Sequence, residues 1–188
     1  MADDPWTVAE HHRIREEVFV REQCLFPGSD RDGRDDDAAT IKVLGFRDDV
    51  AGGAVRLYPL DAAGHWQGDR LAVLPGTRGH GLGAPLVWFA VATAARGGGR
   101  LMTAHIQPRN VAFFERLGWR VSGEQEIYVG VPHVPMAIDL ASGRSRKSRG
   151  WIAEADSSLA RTQEEGAAIA AATTRTQSAA DMAGETPR

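Results

Sequence analysis

The chain has 188 residues, 43% hydrophobic and 25% charged, with a formal net charge of -3 at pH 7; that is room for one ordinary domain with a real core, and no electrostatic reason for nucleic acid or an anionic membrane as partner. A single cysteine, Cys24, excludes an internal disulfide framework and a multi-cysteine zinc site and suits a reducing compartment, so a cytoplasmic protein is expected. The start, MADDPWTVAEHH, is acidic and polar where a signal peptide needs a basic and then an apolar run, and no later stretch reaches membrane-spanning length.

In chain order, His11 to Gln23 reads as a helix: Ile14 and Val18 recur at helical spacing, and no Gly or Pro interrupts. DRDGRDDD, from Asp30 to Asp37, lacks the closing Glu of a calcium loop and reads as a solvated acidic loop, suited to the rim of a site for a cationic acceptor. Thr40 to Phe46 and Val50 to Tyr58 are β-rich runs joined by Arg47-Asp48-Asp49, and Asp61 to Gly64 leads into Trp66 to Val73, which together predict an antiparallel meander. Ala84 to Ala95 is Ala-rich and stops at Gly97-Gly98-Gly99, the pattern of a helix. Arg100 to Ile106 reads as a buried strand, Asn110 to Leu117 as a short helix ended by Gly118, and Trp119 to Val129 and Met136 to Leu140 as the last strands. The order predicts an α/β (α+β) fold, a mixed sheet with helices packed on it. Composition shifts near Gly143, so residues 1–142 form the expected domain and 143–188 a low-complexity tail, flexible or partly helical around Trp151.

The strand LAVLP runs into RGHGLG (Arg78 to Gly83), and a helix with Pro85 in its first turn follows. Glycines let the backbone approach a ligand closely, and a helix N-terminus offers unpaired N–H groups and a positive dipole end; a pyrophosphate fits both. Arg78 adds a fork of charged donors. A Walker loop would need Gly-Lys-Ser/Thr, and a dinucleotide fingerprint would follow the first strand rather than a meander; neither condition holds. The six histidines show no metal spacing, each reads as a solvated or core residue, and no metal is predicted.

LAVLP with RGHGLG resembles the acyl-CoA-binding segment of the Gcn5-related N-acetyltransferase (GNAT) superfamily, and NVAFFERLGW (Asn110 to Trp119) resembles that family's second cofactor segment. IREEVFVREQ (Ile14 to Gln23), the acidic run from Asp30 to Asp37 and GVPHVPM (Gly130 to Met136) are similar to an ElaA-like bacterial subgroup, and WQGDRLAV and PHVPMAIDL to acetyltransferases associated with nitrogen-starvation gene clusters. The resemblance implies a mostly antiparallel central sheet of about six to seven strands flanked by helices, with a splayed strand pair that binds acyl-CoA. It implies acetyl-CoA as acyl donor: Leu71 and Val73 would contact it through main chain, the turn Gly79, His80, Gly81, Leu82 and Gly83 with Arg78 would hold the pyrophosphate, and Asn110 and Phe114 would line the pantetheine and thiol.

An amine attacks a thioester only after losing its proton, so a base is expected. Asp69, two residues before Leu71, stands where the family often has a catalytic carboxylate, although it reads equally as a strand carboxylate paired with Arg70. Glu22 and His133 are the alternatives, with a solvated helix face and a turn histidine as their plainer readings. Phe114 stands where many relatives carry an acidic tyrosine; Tyr128 or a water takes that role, or the thiolate leaves unaided. Cys24 reads as a loop or buried thiol rather than a nucleophile. The implied reaction is direct transfer of a short acyl group to a primary amine of a small molecule, by a protein that is a monomer or homodimer. The alternatives are a protein lysine or N-terminal acetyltransferase and a catalytically inactive acyl-CoA-binding regulatory module.

Overall fold

The computed structural model describes residues 1–141, and the tail expected over 143–188 lies outside the described residues. The first helix, α1 (Pro5–Arg15), starts earlier than its periodicity predicts, because Asp4 caps it by accepting from the amides of Trp6 and Thr7 at 2.9 and 3.1 Å. From Glu16–Glu22 the helix widens into a π-helical turn, with the Gln23 amide donating to the Val18 carbonyl at 3.0 Å. Such insertions often mark functional sites, since they swing the following side chains off the regular helical face.

Strands β1 (Ile41–Arg47), β2 (Val50–Pro59) and β3 (His65–Val73) form the expected meander. Asp48 and Asp49, at φ 48° and 63°, make the two-residue turn between the first two strands. Helix α2 (Gly83–Arg96) buries Leu86, Val87, Ala90 and Ala94 against the sheet and leads to β4 (Leu101–Ile106), then α3 (Val111–Arg116) and three further strands. The seven-stranded sheet runs β1-β2-β3-β4-β7-β5, with β6 also on β7, and among the described residues only β3 and β4 pair in parallel.

Three expectations change. The strand expected over Trp119 to Val129 is two short ones, β5 (Arg120–Val121) and β6 (Glu126–Tyr128), while the last strand, β7 (Val131–Asp139), takes in the PHVPM segment. Pro135, which has no N–H to donate, sits where the outer edge of β7 changes partner from β6 to β5. The acidic loop is not simply solvated: Asp30 and Asp35 are buried, and Arg15, itself fully buried, binds them at 2.8 and 2.5 Å. Burial opposes ionisation of Asp35, yet hydrogen bonds and charge from Arg15, with the charge of Arg56, outweigh it and hold its pKa well below the usual carboxylate range. This network of arginines and aspartates straps the loop onto α1 and the sheet.

Candidate active site

The β3–β4 ladder lasts for three residue pairs and ends at Gln67 opposite Thr103. Beyond that point the two strands part, because β3 bulges: Arg70 adopts φ 52°, and Arg70 and Leu71 together face the single residue Val55 of β2. Gly68 stands at the branch, where a Cβ would come within 2.6 Å of the Met102 methyl. A cavity fills the fork; Leu71, Val87, Ile106 and Phe114 give it apolar walls, and Asp69, Asn110, Tyr128 and His133 line it too. Six of the residues singled out in the sequence, Asp69, Leu71, Asn110, Phe114, Tyr128 and His133, thus meet around one space.

The glycine turn stands beside the fork at the head of α2, whose Val87 and Ala90 face the cavity. Gly79 and Gly81 hold φ 80° and 84°, a conformation that favours glycine, and a Cβ on either would meet nothing within 4 Å. Among the described residues the amides of Gly79, Gly81, Leu82 and Gly83 have no backbone acceptor, and no side chain caps α2. The His80 amide is spent on the Thr77 carbonyl at 3.3 Å, which sets it apart from its neighbours in the turn. The loop therefore fits the phosphate groups of a coenzyme A: open amides, room for close approach, and the positive end of a helix. Arg78 donates to the Val73 carbonyl at 2.9 Å and grips both oxygens of Glu22 at 2.5 Å. That hydrogen bond and the arginine charge hold the Glu22 carboxyl below its ordinary pKa. Glu22 and Arg78 are so brought together, whereas the Val73 carbonyl is already engaged.

Asp69 has both oxygens on Arg56, at 2.8 and 2.7 Å, with Arg70 3.8 Å away. The partner is chiefly Arg56 rather than the neighbouring Arg70. His133, on a strand rather than in a turn and 6% exposed, has Nδ1 3.0 Å from the Val131 carbonyl. A carbonyl only accepts, so the neutral ring carries its proton on Nδ1 and keeps a lone pair on Nε2. The Tyr128 ring lies edge-on to His133 at 5.4 Å and stacks on His105 at 4.3 Å, and His105 in turn contacts Glu126 at 2.9 Å. Phe114, 5% exposed, packs edge-on against Trp119 at 5.4 Å and brings no ionisable group to the site.

Several cavity residues escaped the sequence reading. His105 reads there as solvated or core, and Gln23, Gln107 and Val129 carry no periodic signal. The one local hint is that Gln107 is polar and closes an apolar strand. Val129, at φ 53°, is a β-branched residue in a left-handed turn position, a costly conformation at the cavity wall. Among the described residues no group of three or more His, Cys, Asp or Glu is arranged to hold a metal, and no helix is long and apolar enough to cross a membrane.

The family model described as "Acetyltransferase (GNAT) domain" matches residues 45–140. An uncharacterized N-acetyltransferase of Bacillus subtilis (strain 168), YjcF, is 30% identical over 127 residues, covering 67% of this chain and 88% of the relative. The crystal structure of Escherichia coli ElaA is similar with a TM-score of 0.65 at 23% identity, over 73% of this chain and 93% of that one. An acyl-CoA N-acyltransferase from Pseudomonas aeruginosa is similar with a TM-score of 0.64 at 26% identity, over 72% and 92%.

Proposed function

The chain belongs to the GNAT acetyltransferase family and is an acyltransferase, and on that premise we propose that it moves an acetyl or other short acyl group from acyl-CoA directly to a primary amine of a small molecule. The observation that carries this reading is the fork beyond Gln67 and Thr103, a cavity between two parallel strands with the open amides of the glycine turn beside it. The amides of Gly79, Gly81, Leu82 and Gly83 bind the pyrophosphate. Leu71, Asn110 and Phe114 flank the pantetheine arm, and a free N–H of the β3 arm steadies the charge that develops on the thioester oxygen.

The C–N bond forms as the C–S bond breaks, and the amine proton leaves to the lone pair on His133 Nε2. His133 takes this role ahead of Asp69 and Glu22 because both carboxylates have each oxygen committed to an arginine. Tyr128, beside His133, returns a proton to the departing thiolate; a thiol with a pKa of about 8.5 is in any case a tolerable leaving group. The reading is tested by release of free CoA from acetyl-CoA across a panel of amines, with CoA binding measured in parallel for the native protein and Gly81→Asp. A carboxylate in the turn repels phosphate, so undiminished CoA binding by Gly81→Asp would remove the pyrophosphate assignment.

A further inference from the structure

Two glutamines meet across the fork. Gln23 follows the π-helical turn and Gln107 follows β4; Gln107 Nε2 donates to Gln23 Oε1 at 2.9 Å, and both residues are partly buried and line the cavity. A single hydrogen bond cannot satisfy two carboxamides. Whichever way the two groups are turned, one keeps both its N–H donors and the other keeps its carbonyl. Here Gln23 Nε2 offers donors and Gln107 Oε1 an acceptor, side by side.

The polar side chains that β3 adds to this wall are spent elsewhere. Gln67 accepts from Thr103 Oγ1 at 2.8 Å and donates to the Gly68 carbonyl at 3.4 Å, while Asp69 and Arg70 sit in the ion network. The glutamine pair is therefore neutral, and its free donor and free acceptor match the C=O and N–H of a secondary amide. A carboxylate would meet the Gln107 carbonyl, and an ammonium would meet the Gln23 donors.

We propose that Gln23 and Gln107 form a subsite for a secondary amide group. The inference rests on the acyl-transfer reading, and the chemistry has two sources: the pantetheine arm of the donor, which carries two such amides, or an acceptor with a peptide-type bond beside its amine. The double variant Gln23→Met/Gln107→Met keeps side-chain size and leaves neither partner unpaired, so it should fold, as thermal melting checks. Calorimetry of the full chain then compares CoA, pantetheine with amide-free cysteamine, and glycine N-methylamide with amide-free n-butylamine. The expected result is an about tenfold loss for one amide probe with its amide-free counterpart unchanged. Loss on pantetheine assigns the donor arm, and loss on glycine N-methylamide assigns the acceptor. Equal affinities in both proteins, or a native protein that binds CoA but neither amide probe, would overturn the subsite; a native protein that binds no CoA would sink the acyl-transfer reading instead.

Discussion

Arg56 and Asp69 are cross-strand partners on β2 and β3, joined by two hydrogen bonds of 2.8 and 2.7 Å with the arginine side chain 1% exposed. Arg56 also holds Asp32 at 2.7 and 2.9 Å, so Asp69 belongs to the network that straps the acidic loop down. Asp32 and Asp35 still balance Arg56 when Asp69 loses its charge, so the cost is that of the charge-assisted hydrogen bonds, on the order of 1.5–3 kcal/mol. Asp69→Asn should therefore lower the melting temperature while the acidic limb of the pH–rate profile keeps its midpoint. A stable variant with a displaced limb would restore Asp69 as the base.

His133→Gln keeps a polar side chain but removes the lone pair assigned to the amine proton. General-base catalysis contributes about 10²–10⁴-fold, so kcat should fall by at least ~10²-fold at neutral pH. The loss should shrink as pH rises and the free amine appears without help. Steady-state rates from pH 6 to pH 10 check this, with thermal melting as the control for folding.

The meander, the two principal helices and the glycine turn were legible because each is written in local chemistry. A β-rich run marks β2, Asp48 and Asp49 mark a turn, and Gly81 precedes an apolar helix with Pro85 near its start. What escaped depends on partners distant in the chain. Asp30 and Asp35 are charged residues in a charged run, and nothing local says that Arg15 will bury them. His105 and Gln107 close a strand whose side chains face either a core or a cavity, and only the bulge at Arg70, which parts β3 from β4, makes it a cavity. Asp69 lines the cavity, and its pairing with Arg56 was not legible because that partner lies on the neighbouring strand.

On the proposed function, Glu22 competes with phosphate for Arg78. The pair is exposed, 42% on the arginine side and 36% on the carboxylate, and a pair of that kind is worth about 0–1 kcal/mol. Glu22→Gln frees the guanidinium, so CoA should bind up to about fivefold more tightly, whereas Arg78→Ala should weaken it. Titration calorimetry with CoA reads both. Weaker binding by Glu22→Gln would show that the carboxylate helps to hold Arg78 in its binding position.

His11 makes acid stability a test of the core. It is fully buried on α1, with Nε2 3.2 Å from the Val55 carbonyl; burial first, then the charge of Arg15, pushes its pKa down to about 3. In the unfolded chain the imidazole takes up a proton near pH 6.5. Between those values the unfolded state binds more protons than the folded one, so stability that is fully present above about pH 6.5 drains away as pH falls toward about 3, by up to ~1.4 kcal/mol per pH unit. Asp35 works in the same direction at lower pH, since its pKa lies below the ordinary 3.8 and its stabilisation fades only as pH drops through that range. Urea denaturation at intervals from pH 7.5 to pH 4 should thus show a declining unfolding free energy. His11→Gln, which keeps a donor for Val55 but cannot take a proton, should start less stable and show a flatter decline over that window. Parallel declines in the two proteins would mean that another group governs acid sensitivity.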